Sequence, residues 1–184
     1  MVTYQIKRAT ELSAGEMGQV LHAWEVQAWM DLSEAAFRQR FAQSEFHLLT
    51  GPQAALLAVA RLNFDFCLRI DDRRYAFAEL VGFVSPQPRR GYGSRLLDLL
   101  TGTLRKRNME ALGFCEQPLR GFYQKCNVPI LYGQARYVRE MDHDQWVAST
   151  DDDILDLTLS PESVALLNGL NGQRLAYLCQ NEAH

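Results

Sequence analysis

The stretch SPQPRRGYGSRLLDLL, residues 85–100, joins the pair Arg89-Arg90 and two glycines to a leucine-rich run. Gly91 and Gly93 fall between a strand-like apolar segment and the first residues of a helical pattern, where backbone N–H groups lack partners and the helix dipole is positive. Such a turn suits an anion, because glycine lets main-chain amides approach a phosphate without a Cβ in the way. Arg89 and Arg90 add mobile positive charge, Tyr92 lies between the glycines, and Ser94 offers a hydroxyl. A P-loop would need a Gly-Lys-Ser/Thr ending, and a dinucleotide fingerprint would need glycine where Leu96 stands. The plain alternative is a strand-to-helix turn that needs only glycine's backbone freedom. Upstream, Glu79 shares a strand face, by period two, with Tyr75, Phe77, Val81 and Phe83. A carboxylate in that setting is expected to be buried, with its pKa raised toward the range of a general base working near neutral pH. Pairing with Arg73 or Arg74 is the structural alternative.

These groups need a scaffold, and the periodicity describes one. Residues 3–7 read as a short strand. Ser13 and Glu16 have capping-box spacing ahead of a helix to about Trp29, and Asp31 and Glu34 repeat the signal before a second helix carrying Phe37 and Phe41. From Phe46 the period becomes two; Leu62, Phe64, Phe66, Leu68 and Ile70 alternate with polar positions, and residues 75–84 read as a central strand buried on both faces. Leu96, Leu100 and Leu104 recur every four residues, predicting a helix from Ser94 to about Ala111 that Gly113 closes. FCEQ is the next expected strand, PLRGFYQKCN a short helix, and VPILYGQARYV and DILDLTLS two strands that pair as a hairpin. A short helix, SPESVALLNG, and a final segment, QRLAYLCQ, complete the chain. This order predicts an α/β or α+β fold, a mixed and mostly antiparallel central sheet flanked by helices on both faces.

With 184 residues, 47% of them apolar and 22% charged, the chain is expected to form a single domain, residues 1–184, with a C-terminal extension from about 160. A net charge of −3 argues against nucleic-acid binding, despite the local RKR at 105–107. Arg61, Asn63, Asp65 and Arg69 interrupt the longest apolar runs, so no membrane association is expected. Cys67, Cys115, Cys126 and Cys179 show no C-x-x-C pair and the N-terminal residues no signal peptide, which points to reduced thiols in a cytoplasm. His22, His47, His143 and His184 have no metal-ligand spacing with the cysteines, and no metal is expected.

The stretch FAELVGFVSPQPRRGYGSRLLDLL resembles motif A of the GNAT superfamily of N-acetyltransferases, and RGFYQKCNVPI resembles that family's FYxKxGF motif, in the family's order. The resemblance covers about residues 46–140 and more loosely the two opening helices. It implies a GNAT-like acyl-CoA N-acyltransferase fold and acetyl transfer from acetyl-CoA to a primary amine of a small molecule, by direct attack in a ternary complex. On this resemblance Arg89, Arg90, Gly91, Tyr92, Gly93 and Ser94 bind the pyrophosphate, while Phe83, Val84 and Ser85 run beside the pantetheine arm, with Gly82 marking a bulge that opens the sheet for it. Glu79 matches the fourth-strand glutamate of many members, and Tyr123 the tyrosine that protonates the departing thiolate. Two positions depart from the pattern: Pro88 stands where Arg or Gln is usual and removes a backbone donor, and Asn127-Val128 replaces Gly-Phe. These departures motivate a competing expectation, a non-catalytic acyl-CoA-binding sensor on the same fold; a longer acyl donor is a third.

The acceptor side is the least legible. HAWEVQAWMDLSE supplies Trp24, Glu25, Trp29, Asp31 and Glu34, which read more simply as an amphipathic helix than as a cation site. The run Asp151-Asp152-Asp153 reads as a solvated acidic loop. The later segments also resemble, less specifically, the ending of aminoglycoside N-acetyltransferases. The segment beyond Ser160 leaves room for acceptor cover or a homodimer contact.

Overall fold

The computed structural model describes residues 1–179. They gather into two compact units: residues 1–63 with 80–102, and residues 64–79 with 103–179. The chain carries the expected mixed, mostly antiparallel sheet with helices.

In the first unit, β1 (Thr3–Arg8) pairs antiparallel with β2 (Ser44–Thr50), and β2 with the early part of β3 (Leu56–Ile70). The capping box forms as the spacing requires. Ser13 accepts from the Glu16 amide, the Glu16 carboxylate accepts from the Ser13 amide at 2.9 Å, and α1 (Ala14–Trp24) follows. This helix stops at Trp24 rather than near Trp29, because Glu25 turns left-handed at φ 54° and caps it; a 3-10 turn holds Gln27–Trp29. Ser33, and not Asp31, caps α2 (Glu34–Arg40), its hydroxyl accepting from the Ala36 amide. Phe37, Phe41, Phe46, Val20 and Val59 form the core between these helices and β2. Every residue of β2 is buried, including His47 and Glu45. Both ring nitrogens of His47 are hydrogen-bonded, Nε2 with the Glu45 carboxyl group at 3.0 Å and Nδ1 with the Tyr4 hydroxyl at 2.5 Å.

The second unit has the strand order β6-β9-β5-β4-β3-β10-β7-β8. Its strands are β4 (Arg73–Val84), β5 (Ala111–Cys115), β6 (Ile130–Leu131), β7 (Val138–Asp142), β8 (Gln145–Ala148), β9 (Asp153–Asp156) and β10 (Ala176–Cys179). Strands β3 and β4, and the helix α3 (Tyr92–Lys106), run through both units. Phe66, Leu68, Ile70, Phe77, Leu112, Ile154 and Leu167 lie in the core of the second unit.

Several expectations change here. Strand β4 is central in the order, yet only Phe77, Ala78 and Leu80 on it are buried, so the enclosure of both faces is confined to the middle of the strand. Helix α3 begins two residues before Ser94 and ends at Lys106, short of Ala111. Asn108 adopts φ 49°, its N–H bonds the Arg105 carbonyl, and the Met109 N–H bonds that of Leu104, which closes the helix in a Schellman turn. The chain therefore enters β5 at Ala111, and Gly113 lies inside that strand instead of ending the helix. Strands β6 and β9 do pair antiparallel, although not as a simple hairpin. Between them stand a 3-10 turn at Ala135–Tyr137 and the β7–β8 hairpin, whose two-residue turn places His143 and Asp144 at φ 44° and 64°. The segment beyond Ser160 is no appendage: after α5 (Pro161–Asn168), β10 enters the sheet between β3 and β7, antiparallel to the first and parallel to the second.

That insertion overturns the expectation of reduced thiols. Cys67 on β3 and Cys179 on β10 lie directly opposite in register, with Cα atoms 4.9 Å apart, and form a disulfide between residues 112 apart in sequence. The other two cysteines are free. Cys115 is buried, and burial, helped by the charges of Asp153 and Asp151, pushes its thiol up to about 11, whereas Cys126 is half-buried. An Ellman titration of the native protein is expected to find one fast thiol, Cys126; unfolding without reductant raises the count to two, and reduction to four. Closing so long a loop restricts the unfolded chain, so Cys179→Ser is expected to lower unfolding free energy by about 4 kcal/mol, read by urea denaturation.

Candidate functional site

The motif residues of the first unit occupy one continuous strand, loop and helix start. Phe83 and Val84 close β4, half-buried, and Ser85 follows, its hydroxyl 3.0 Å from the Leu57 carbonyl to which it donates. Residues 86–91 are exposed, Pro88 included. Arg89 sits at φ 62° and Gly91 at φ 76°, so the loop makes two left-handed steps around Arg90 before α3 begins. Only glycine takes the second without strain. An ideal Cβ on Gly91 would meet nothing within 4 Å, so backbone conformation and not crowding explains that glycine. Tyr92, Gly93 and Ser94 form the first turn, where helix geometry leaves amides without intrahelical partners, and the Arg95 amide is bonded to the Gly91 carbonyl. The loop is thus open to solvent at the positive end of a 15-residue helix.

Gly82 also fits its expected role as an irregular point in β4. It adopts φ 60°, and a Cβ there would lie 2.7 Å from the Trp24 indole. The Trp24 ring N–H donates to the Gly82 carbonyl at 2.7 Å, which satisfies a backbone oxygen at an irregular point of the strand. Trp24 itself stands in an aromatic cluster with Trp29, Phe41 and Phe46, at ring separations of 5.5–6.1 Å. This bracing was invisible in the sequence, where Trp24 read as one apolar position on a helix.

The second unit holds Glu79 and Tyr123. Glu79 is half-buried on β4, so the expected apolar enclosure is incomplete; Tyr75 on the same face is half-buried as well. Tyr123 is buried on α4 (Arg120–Lys125), 6% exposed, its ring edge-on to Phe122. Burial raises its pKa above the ordinary value of 10.0, with further pushes from Cys115, Cys126 and Asp151, so its hydroxyl stays protonated at neutral pH. Asn127 takes φ 56° just past α4, its N–H bonding the Gln124 carbonyl and the Val128 N–H bonding that of Tyr123. The replacement of glycine by asparagine at this point therefore preserves the left-handed turn, which asparagine tolerates.

The acidic run is not simply solvated. Asp153, the first residue of β9, is fully buried, and its carboxylate accepts from Arg120 Nε at 2.5 Å, Arg120 Nη2 at 2.8 Å and the Gly133 amide at 2.7 Å. The Asp152 carboxylate accepts from the Gln117 amide at 2.7 Å. No local signal could have found these contacts, since Arg120 and Asp153 lie 33 residues apart. Burial pushes the Asp153 carboxyl up, and the bonds from Arg120 and Gly133 outweigh it, leaving its pKa below the usual 3.8. Among the described residues, no group of three or more His, Cys, Asp or Glu could hold a metal ion, and no helix is long and apolar enough to cross a membrane.

No family model and no curated protein matches the sequence of the chain. Solved structures are. A GNAT family N-acetyltransferase, YhbS of Escherichia coli in complex with CoA, is 10% identical, with a TM-score of 0.61 over 98% of this chain and 90% of its own. The catalytic domain of Tetrahymena GCN5 histone acetyltransferase with coenzyme A is 14% identical at a TM-score of 0.53, over 88% of this chain and 95% of its own. An acyl-CoA N-acyltransferase from Pseudomonas aeruginosa is 12% identical at 0.54, over 85% and 99%. The chain spans about a third of one larger neighbour, a probable N-acyltransferase of Enterococcus faecalis. The chain has the fold of the GNAT N-acetyltransferases.

Gly82→Ala is expected to destabilise the protein by about 1–3 kcal/mol in chemical denaturation, from left-handed strain and the clash with Trp24. Asp153 sets a pH signature. Because its folded pKa lies below its unfolded value, its stabilisation is complete above about pH 4 and is lost as pH falls toward the folded value. Asp153→Asn should therefore be less stable than the parent at pH 7, with the difference shrinking below pH 4 in acid-unfolding curves.

Proposed function

We propose that the protein is an N-acetyltransferase that moves an acetyl group from acetyl-CoA to the primary amine of a small molecule, by direct attack within a ternary complex. One observation carries the reading: the left-handed, sterically open Gly91 at the exposed start of α3, flanked by Arg89 and Arg90. In this reading the amides and side chains of residues 89–94 hold the pyrophosphate. The end of β4 at Phe83, Val84 and Ser85 guides the pantetheine arm, just beyond the left-handed Gly82.

The amine nitrogen attacks the thioester carbonyl carbon, the carbon–sulfur bond breaks, and the electron pair leaves on sulfur. Glu79, directly or through a water, takes the proton the amine loses, and Tyr123 serves the leaving thiolate. Protonated at neutral pH and surrounded by groups that disfavour its anion, the Tyr123 hydroxyl acts first as a hydrogen-bond donor to the sulfur. Full proton release from it is costly. A second reading, a non-catalytic acyl-CoA-binding module, is favoured by Pro88, which offers no N–H in the exposed loop. A cytoplasmic setting, where acyl-CoA is made, fits either reading; there the Cys67–Cys179 bond forms only against a reducing thiol pool. A homodimer stays within this proposal.

Isothermal calorimetry is expected to show coenzyme A binding that Gly91→Val weakens at least about tenfold. Thiol release from acetyl-CoA over a panel of primary amines should identify an acceptor, and Tyr123→Phe should lower kcat about a hundredfold with coenzyme A affinity retained. The rate should show no alkaline decline below about pH 10, since burial holds Tyr123 above its ordinary 10.0. Absence of coenzyme A binding overturns the reading, and binding without turnover on any amine transfers it to the sensor.

A further inference from the structure

Helix α4 has six residues, too few to hold its own direction in water. Its placement comes from outside, and the contacts that supply it converge on the start of β9. Strand β9 is a rigid base: it pairs with β5 on one side and β6 on the other, and Asp153, Ile154 and Leu155 on it are buried. From this base the Asp153 carboxylate takes both prongs of the Arg120 guanidinium and the Gly133 amide, while Asp152 takes the amide of Gln117 in the 3-10 turn leading into α4. Arg120 also lies over the Tyr132 ring, 5.3 Å from its centre, and the Tyr132 hydroxyl accepts from Gln124 further along the same helix. Tyr123 stands three residues beyond Arg120, on the same side of the helix. Cys115, one of the groups that hold the Tyr123 pKa up, is the residue directly opposite Asp153 across the β5–β9 pair.

An apolar contact could anchor such a helix but would let it roll about its axis. A planar two-pronged bond from a guanidinium to a buried carboxylate fixes both distance and rotation. Resting on the reading of Tyr123 as the group that serves the leaving sulfur, we propose that Asp153, Asp152 and Arg120 are positioning residues: a clamp on α4 that sets the direction of the Tyr123 hydroxyl during transfer. Asp153 and Arg120 touch neither substrate in this proposal and act through Tyr123 alone.

Two variants test it without leaving an unpaired charge in the core. Arg120→Lys keeps the charge and removes the fork; Asp152→Ala releases only the lead-in turn. Steady-state kinetics would use acetyl-CoA and the panel amine that gives the parent protein its fastest thiol release, each variant made in the parent and in Tyr123→Phe, with folding checked by circular dichroism. The expected result is a kcat loss of about tenfold for Arg120→Lys and severalfold for Asp152→Ala, with KM for acetyl-CoA within about twofold of the parent, and less than about twofold further loss in the Tyr123→Phe background. Equal losses in both backgrounds, or a KM that rises in step, overturn the clamp in favour of general packing. Unchanged kcat in both variants, where Tyr123→Phe is impaired, overturns the clamp and leaves the Tyr123 reading standing. Unimpaired Tyr123→Phe overturns both. If Arg120→Lys does not fold, Asp152→Ala decides by the same criteria.

Discussion

A carboxylate removed from water must recover its lost hydration from the protein, and Asp153 does so with three donors drawn from two other parts of the chain. That requirement ties β9, the start of α4 and the turn at Gly133 into one arrangement. Losing any donor leaves a buried charge short of partners, so these elements keep their mutual positions. The short helix carrying Tyr123 inherits an orientation that its six residues could not supply.

The first unit solves a different problem with backbone conformation. Left-handed residues mark the places where its elements end or become irregular: Glu25 closes α1, Gly82 is an irregular point within β4, and Arg89 and Gly91 lead into α3. At Gly82 the deviation is braced, since the Trp24 indole both occupies the space of a missing side chain and donates to the carbonyl. At Gly91 the space is open. The contrast matters for function: a glycine explained by a neighbouring ring is structural, whereas one with solvent beside it leaves main-chain amides accessible to an anion.

At 10–14% identity to its structural neighbours, the chain shares their fold through pattern rather than through residues. Apolar spacing, helix caps and left-handed turns can be met by many side chains, and Asn127 is an instance: it takes the left-handed position just past α4 that glycine commonly fills. Fold alone does not establish a reaction. Any chemistry of the chain depends on the local states of its own residues, Gly91, Glu79 and Tyr123 among them. Of these, Glu79 is the one whose setting departs from expectation, half-buried where its strand neighbours suggested enclosure.

Local physics was legible in the sequence. Caps depend on residues three apart, helices on spacing of three and four, strands on alternation, and so the element order as far as α4, the capping box at Ser13 and the glycine turn before α3 could be read directly, whereas the β7–β8 hairpin could not. Boundaries were missed where a left-handed residue other than glycine ended an element, as at Glu25 and Asn108, because side-chain type restricts that conformation only weakly for such residues. What tertiary structure alone decided were pairings across long separations. Cys67 with Cys179, Arg120 with Asp153 and Trp24 with Gly82 meet only because strands and helices bring distant segments side by side. Nothing within a few residues of either partner encodes such a meeting; it is a property of the assembled sheet.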